Sequence, residues 1–212
     1  SDFTVTITDD EDPAIADTPA NITQTADAGQ CSAVINYTAP TASDNCAVTS
    51  FSGDAASGDA FPVGTTTVTY TAVDPAGNTT TSSFTVTITD DEAPAIAGTP
   101  ANITQSNDAG ICGAAVSWAD LTASDNCAVA SLTGTHASGD TFAVGTTTVT
   151  FTATDIHGNT TTSTFSVTVT DGEAPSISGT PEDITQTADA GLCSAAVSYT
   201  PPTAADNCGV DS

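Results

Sequence analysis

Short runs of alternating apolar and polar residues recur along the chain. Within residues 65–73, Val68, Tyr70 and Ala72 alternate with threonine, and residues 83–89 alternate an apolar residue with threonine or serine. Period-two alternation is typical of a strand with one buried face, and no segment has a convincing helical period. We therefore predict an all-β chain. The residues predicted to point inward are Ala33, Ile35, Tyr37, Val68, Tyr70, Ala72, Phe84, Val86, Ile88, Ala114, Val116, Trp118, Val149, Phe151, Ala153, Phe165, Val167, Val169, Ala195, Val197 and Tyr199.

These strands belong to a unit that recurs every 81 residues without insertion or deletion. Such self-similarity indicates a tandem array. We divide the chain into the last strand of a preceding repeat (1–10), a first repeat (11–91), a second repeat (92–172) and the beginning of a third (173–212). From these incomplete ends we expect the natural polypeptide to be longer.

The charge composition excludes several partners. The 212 residues include 26 Asp plus Glu and no Lys or Arg, which gives a formal net charge of −26. Nucleic-acid binding depends on Lys and Arg contacts to phosphate, so we expect no nucleic-acid partner. No apolar stretch approaches the ~18 residues of a membrane span, so we expect no membrane insertion.

Each repeat has the size and turn pattern of a β-sandwich. About 80 residues with seven or so short strands fit an immunoglobulin-like domain. The turn Asp74-Pro-Ala-Gly77-Asn78 recurs as Asp155-Ile-His-Gly158-Asn159, and glycine supplies the positive φ that a hairpin turn needs. We therefore predict tandem immunoglobulin-like β-sandwiches arranged as beads in a line.

The repeats resemble the hyalin repeat (HYR) family. The matching motifs are FPVGTTTVTYTAVDPAGNTTTSSFTVTITDDEAP in residues 61–94 and FAVGTTTVTFTATDIHGNTTTSTFSVTVTDGEAP in residues 142–175, together with TASDNC and TPANIT. The repeats are also similar to those of large surface proteins and adhesins of Bacteroidetes. The resemblance implies an immunoglobulin-like fold, an extracellular location on a bacterial surface, an adhesive or spacer role, and no catalysis.

Six cysteines occupy two equivalent positions in each repeat: Cys31, Cys46, Cys112, Cys127, Cys193 and Cys208. Paired cysteines of this kind fit a secreted protein. The two positions are 15 residues apart, and a bridge closing so short a loop would contribute ~3 kcal/mol. Relatives often carry a further pair, absent here at Thr18 and Ser82, which favours pairing of the remaining two. We favour this local pairing, with an inter-repeat bridge such as Cys31 to Cys127 as the alternative.

Acidic loops are predicted to meet where consecutive repeats join. In an antiparallel sandwich, the linker, the loop carrying TASDNC and the last hairpin turn lie at one end. Ca²⁺ takes 6–8 oxygen ligands and suits such a collection. Within the linker we favour Asp91 over Asp90. The candidate ligands are Asp10, Glu11, Asp44, Asp74, Asn78, Asp91, Glu92, Asp125, Asp155, Asn159, Glu173 and Asp206.

Turn chemistry is an equal alternative for these residues. Asp and Asn side chains commonly bond their own backbone in turns, and acidic linkers are often simply solvated. Neither hypothesis is preferred from the residues alone. His136 and His157 are interpreted as surface-loop residues, because the first repeat has alanine at both equivalent positions.

We predict a structural function: an extracellular stalk or fibre stiffened by Ca²⁺ at its junctions, with neighbouring repeats and other copies in a filament as partners. The alternative is an adhesive module whose loops recognise glycan or a partner protein. Nearly identical loops favour spacing over recognition, because specificity usually resides in divergent loops. The Ser, Asp and His residues form no repeated constellation, so we expect no enzyme.

Overall fold

The computed structural model describes residues 1–210 and is all-β over that range. The first repeat contains strands β1 (Ala14–Ala16), β2 (Ile22–Thr25), β3 (Ser32–Val34), β4 (Thr41–Ser43), β5 (Ser50–Gly53), β6 (Ala60–Pro62), β7 (Gly64–Val73) and β8 (Thr79–Thr89). The second contains β9 (Ala95–Ala97), β10 (Ile103–Ser106), β11 (Gly113–Ala115), β12 (Thr122–Ser124), β13 (Val129–Gly134), β14 (Thr141–Ala143), β15 (Gly145–Asp155) and β16 (Thr160–Thr170). The third segment contains β17 (Ser176–Ser178) and β18 (Thr203–Ala205).

Both full repeats have the same sheet topology. In the first, four strands pair in the order β2-β8-β7-β5, and two small sheets pair β1 with β4 and β3 with β6. The second repeats this as β10-β16-β15-β13, β9 with β12 and β11 with β14. Strand β2 runs parallel to β8, whereas the other described pairs of the first repeat are antiparallel. The chain therefore folds as tandem β-sandwich domains.

The two long strands β7 and β8 confirm the alternation and build the first core. They pair antiparallel, with Val68 opposite Phe84. Their predicted inward residues are buried, and the partly exposed Tyr37 ring packs edge-on against Phe84 at 5.0 Å. The second repeat has an equivalent core, where Trp118 packs against Phe165 at 5.1 Å between ring centroids.

The predicted strand through Ala33, Ile35 and Tyr37 is shorter than expected. Only Ser32–Val34 forms a ladder, although Ile35 is buried. Beyond it, the Ile35 N–H donates to the carbonyl of Asp59. The N–H of Tyr37 donates to the hydroxyl of Ser57. A loop therefore satisfies backbone groups that the sequence pattern assigned to a sheet.

The partial repeats at the two ends show what completes a domain. No strand is assigned to residues 1–13, although residues 1–10 match the end of β8 in sequence. In the third segment, Val197 is 51% exposed, whereas the equivalent Val116 is 1% exposed. In the second repeat, Val116 lies in one core cluster with Val149 and Phe165 of the two long strands.

Chain contacts divide the structure into two compact units. The first comprises Ser1–Ala95, Ala123–Ser131 and Ala153–Thr161, and the second comprises the remaining described residues. The first unit thus includes the first repeat together with the loop and turn of the second repeat that carry Asp125 and Asp155. No helix in residues 1–210 has the length and apolar character needed to cross a bilayer.

Candidate metal centre and inter-repeat clasp

The last hairpin turn of each repeat is built around a buried aspartate. Asp74 is 2% exposed, and one of its oxygens accepts the backbone N–H groups of Gly77 and Asn78 at 2.6 and 2.8 Å. Its other oxygen accepts the side-chain amide of Asn78 at 2.7 Å. Asp155 is held in the same way by His157 and Asn159. The turn chemistry proposed for these residues is therefore present.

These hydrogen bonds control the ionisation of both aspartates. Burial alone would raise the pKa of Asp74, but the side chain of Asn78 and the N–H groups of the turn outweigh it and lower the pKa overall. The pKa of Asp155 is lowered for the same reasons, with Asn159 as its main donor. Hydrogen bonds to a carboxylate favour its charged form.

Acid should therefore destabilise the repeats through these turns. A carboxyl whose pKa is lowered by folding stabilises fully above its unfolded pKa of ~3.9, and the contribution disappears as pH falls through the folded pKa. We expect the melting temperature to drop steeply below about pH 4. The variant Asp155→Asn should show a shallower drop than the parent chain in thermal melts across pH. An equal acid sensitivity in both chains would contradict this assignment.

The Asp-Asn-Cys loop supplies the second aspartate of each group. One oxygen of Asp125 accepts the N–H groups of Cys127 and Ala128 at 2.9 and 3.2 Å. Asp44 makes the same contacts with Cys46 and Ala47. The other oxygen of each, Oδ1, is buried without a hydrogen-bond partner. The fold therefore leaves one carboxylate oxygen free in each loop.

The linker supplies the third aspartate. The side chain of Asp90 is fully buried; Oδ1 accepts the side-chain amide of Asn126 at 3.1 Å, and Oδ2 lies 2.9 Å from Nδ1 of His157. The equivalent Asp9 has a buried Oδ2 without a partner. His157 is thus more than the surface-loop residue expected from the sequence. The first repeat has Ala76 there and lacks this contact.

Three carboxylates converge at each of these places. Asp9, Asp44 and Asp74 each offer an oxygen within 4.8 Å of the others, and so do Asp90, Asp125 and Asp155. Two further groups include a cysteine sulfur: Asp171 and Asp206 lie with Cys208, and Asp90 and His157 lie with Cys127. Both cysteines are disulfide-bonded, so neither sulfur is a thiolate ligand.

The other predicted ligands have different surroundings. Asp10 and Asp91 are in none of the groups found among residues 1–210, because consecutive residues of an extended linker point to opposite sides. The side chains of Asn78 and Asn159 donate to their aspartates and to linker carbonyls. Glu92 and Glu173 accept backbone N–H groups at Gly29 and Gly110, each at 2.9 Å. Glu11 occupies the equivalent linker position in the first repeat.

The donor set of each full group fits a hard divalent cation. Carboxylate oxygens are the ligands that Ca²⁺ prefers. The chain has no Lys or Arg to neutralise three clustered carboxylates. Buried acceptor oxygens without hydrogen-bond donors are costly, and a cation would satisfy them. Asp9, Asp44 and Asp125 each present one such oxygen.

The disulfides join different repeats, and the favoured local pairing is wrong. Cys31 is bonded to Cys127 with their Cα atoms 4.6 Å apart, and Cys112 is bonded to Cys208 at 4.7 Å. Both bridges span 96 residues. Among the described residues, Cys46 and Cys193 are free and exposed.

The position of the linkers explains why the local pair does not form. Cys46 follows Asp44, whose group includes Asp9 in the linker that precedes the first repeat. Cys31 follows Gly29, which contacts Glu92 in the linker that follows the repeat. The two cysteines therefore lie at opposite ends of one sandwich. A bridge requires Cα atoms within ~7 Å.

Two hydrogen bonds accompany each disulfide, and together they form what we call the inter-repeat clasp. In the first clasp, Glu92 accepts the N–H of Gly29 at 2.9 Å, and Asn126 donates to the carbonyl of Gln30 at 3.0 Å. The second clasp repeats these contacts at the same distances, with Glu173 on Gly110 and Asn207 on Ile111. The turn that carries Gly29, Gln30 and Cys31 was not singled out by sequence reasoning, although its Ala-Gly-x-Cys motif recurs in every repeat.

Comparison with known proteins identifies the repeat. The HYR domain model matches residues 8–88 and 89–169. Hyalin from Lytechinus variegatus is 41% identical over 214 residues, covering 98% of this chain and 40% of that protein. Hyalin from Strongylocentrotus purpuratus is 36% identical over 213 residues, covering 98% and 18%. The chain thus spans less than half the length of either relative.

Similarity to solved structures is weaker. Extracellular cadherin domains 1–4 of protocadherin gamma B7 align over 79% of this chain and 53% of that chain, with 14% identity and a TM-score of 0.33. Drosophila N-cadherin EC1–4 aligns over 76% and 50%, with 13% identity and the same TM-score. Scores this low support no conclusion about this chain.

Proposed function

The chain belongs to the HYR domain family, and from that premise we propose that it is a structural segment of an extracellular, adhesion-type repeat protein. Its similarity to hyalin and its two disulfides support this role. In this role the repeats act as a stalk whose main partners are the neighbouring repeats. The relatives found are sea-urchin proteins, so the expected likeness to bacterial adhesins stays a prediction that they do not support.

The proposal includes a Ca²⁺ ion held by each complete aspartate group. The observation that carries it is the convergence of Asp90, Asp125 and Asp155 within 4.8 Å, in a chain without Lys or Arg. These residues come from the linker, from a loop and from the last hairpin turn of the following repeat. When bound, the cation supplies positive charge and fixed oxygen coordination. Asp9, Asp44 and Asp74 would hold a second ion at the preceding linker.

Cation binding should limit how the linker moves against the repeat that follows it. The backbone carbonyl of Asp90 already accepts the side-chain amide of Asn159 at 3.1 Å. A shared cation adds a second connection between the same linker and the same turn. Neutralising clustered carboxylates also relieves the self-repulsion of a strongly acidic chain. Recognition of glycan by the loops is the alternative function, and glycan-array binding would favour it.

Calcium titration tests the proposal. We expect Ca²⁺ to raise the melting temperature, with stabilisation of about 2.7 kcal/mol at a concentration 100 times the dissociation constant. Affinity in the range of about 10⁻⁴–10⁻³ M is typical of extracellular modules. Asp125→Asn should reduce the number of bound ions by one, as measured by calorimetry, while leaving the Asp9 group intact.

The adjacent aspartates provide a matched control. Asp90→Asn and Asp91→Asn remove the same charge from neighbouring positions of one linker. We expect only Asp90→Asn to lose an ion, because Asp91 lies outside the group. Equal calcium binding by all three variants and the parent chain would contradict the cation site and leave the family assignment untouched.

A further inference from the structure

The first repeat carries an open groove beside its hydrophobic core. The volume of the groove is about 510 Å³, within the range of ligand pockets. Two stacked rings line it, those of Phe51 and Tyr70, with their centroids 5.5 Å apart. The loop between β5 and β6 adds the carboxylates of Asp54 and Asp59. We call the surface formed by these four residues the aromatic groove.

A glycine lets the ring of Tyr70 lie against the backbone of the neighbouring strand. Gly53 is paired with Tyr70 across β5 and β7. A Cβ atom at Gly53 would lie 2.7 Å from this ring, so a side chain there would displace it. The second repeat has the same arrangement, with Gly134 beside Phe151. Both repeats therefore keep the position next to the ring free of a side chain.

The two aspartates of the aromatic groove each use one oxygen within the fold. Oδ1 of Asp54 accepts the N–H of Thr69 at 2.9 Å, and Oδ2 of Asp59 accepts the N–H of Ala56 at 2.7 Å. Both side chains are exposed, and the second oxygen of each accepts no hydrogen bond from the described part of the chain. Each aspartate can therefore bind a donor from another molecule.

The charge of Asp54 is not required by the backbone that it supports. The equivalent residue of the second repeat is Thr135, whose hydroxyl accepts the N–H of Thr150 at 3.1 Å. Thr150 is itself equivalent to Thr69. A neutral hydroxyl thus makes the same hydrogen bond. The first repeat keeps a carboxylate that its local structure does not need.

The carboxylates also make the surroundings of the aromatic groove negative. Burial and the hydroxyl of Tyr70 raise the pKa of Tyr37, and the charges of Asp59 and Asp54 raise it further. Tyr37 lies next to the groove, because its hydroxyl donates to the carbonyl of the lining residue Ala55 at 2.9 Å. The negative charge that opposes loss of a proton there also favours a bound cation.

We propose that the aromatic groove receives an arginine side chain of a partner protein. A planar guanidinium stacks on aromatic rings and donates several hydrogen bonds in one plane, so it fits two rings beside two free carboxylate oxygens. The chain contains no Arg or Lys, so neither this sequence nor a second copy supplies the cation. A net charge of −26 also attracts a basic partner from a distance. The interaction depends on neither the cation site nor the disulfides.

Two matched peptides test whether the positive charge is recognised. An acetylated and amidated pentapeptide with arginine between two pairs of glycines is compared with the same peptide carrying citrulline, which has nearly the same shape and no charge. Binding to the full chain is followed by amide chemical shifts in NMR spectra. We expect shifts at residues 51–59 and an affinity about tenfold higher for the arginine peptide, from one cation–π contact and two exposed ion pairs.

Two results with these ligands would overturn the proposal. One is equal affinity for the arginine and citrulline peptides, or an absence of shifts at residues 51–59 at millimolar concentrations of both. The other is a set of shifts at these residues with methyl glucoside and none with the arginine peptide, which would assign the groove to glycan instead.

A substitution taken from the second repeat separates the aromatic groove from the general charge of the chain. Asp54→Thr retains an acceptor for the N–H of Thr69, so we expect an unchanged melting temperature and about threefold weaker arginine binding. Asp12→Ala removes the same charge outside the groove, again using the residue of the second repeat, and should leave binding unchanged. Equal losses in both variants, or no loss in Asp54→Thr, would overturn the proposal.

Discussion

Replacing Cys31 and Cys127 together by serine is expected to lower the free energy of unfolding of the first repeat by about 4 kcal/mol. The bridge spans 96 residues, and a cross-link of that length removes much of the entropy of the unfolded chain. When the first repeat unfolds, its chain remains tied at Cys127 to the following repeat. The expected result is a lower urea midpoint in equilibrium unfolding.

The free cysteines make a control for this experiment. Replacing Cys46 and Cys193 by serine removes the same number of sulfur atoms without breaking a bond. That variant should unfold like the parent chain. If both double variants were equally stable, the Cys31–Cys127 bridge would contribute nothing to the fold. If only the Cys46 and Cys193 variant were destabilised, the assigned pairing would be wrong.

Ile88→Ala is expected to destabilise the first repeat by about 2–5 kcal/mol. Ile88 is 1% exposed, lies on β8 and belongs to the first hydrophobic core. Truncation removes buried methyl and methylene groups and leaves a cavity that the surrounding strands fill only in part. The expected signature is that the unfolding transition of the first repeat occurs at lower denaturant in the variant than in the parent protein, while the transition of the second repeat is unchanged.

An exposed isoleucine provides a control for the loss of the same side-chain atoms outside the core. Ile156 is 58% exposed, and its contact with Ala128 uses only its backbone N–H. Ile156→Ala should change the free energy of unfolding by no more than about 0.5 kcal/mol. A loss for Ile88→Ala as small as that for Ile156→Ala would show that β8 does not bury its inward face as described.

The long strands were predictable because their evidence is local. Alternation alone assigns one face to Val68 and Phe84, and the sheet then places them opposite each other. In β8, Phe84, Val86 and Ile88 alternate with threonine, and this repeated alternation separates a strand from a chance run. The three-residue strand β3 is different. After Val34, the backbone forms hydrogen bonds with a distant loop instead of a strand, and the local sequence pattern does not predict these contacts.

The linker and the disulfides required spatial information. Adjacent Asp90 and Asp91 are chemically identical, and only the direction of the extended linker brings Asp90 beside Asp125. A spacing of 15 residues favours a local bridge by chain entropy. The sandwich instead places Cys31 and Cys46 at opposite ends, so they cannot form a disulfide although they are close in sequence. The sequence alone does not separate the two pairings, because Cys46 and Cys127 occupy equivalent positions in consecutive repeats.

Calcium anomalous diffraction from crystals of this chain grown with Ca²⁺ tests the central claim most directly. The account predicts an anomalous peak bounded by carboxylate oxygens of Asp90, Asp125 and Asp155, and a second bounded by those of Asp9, Asp44 and Asp74. Coordination distances of about 2.3–2.6 Å would identify the ion as calcium. Well-ordered aspartates without an anomalous peak in either group, at a calcium concentration that saturates known extracellular modules, would contradict it.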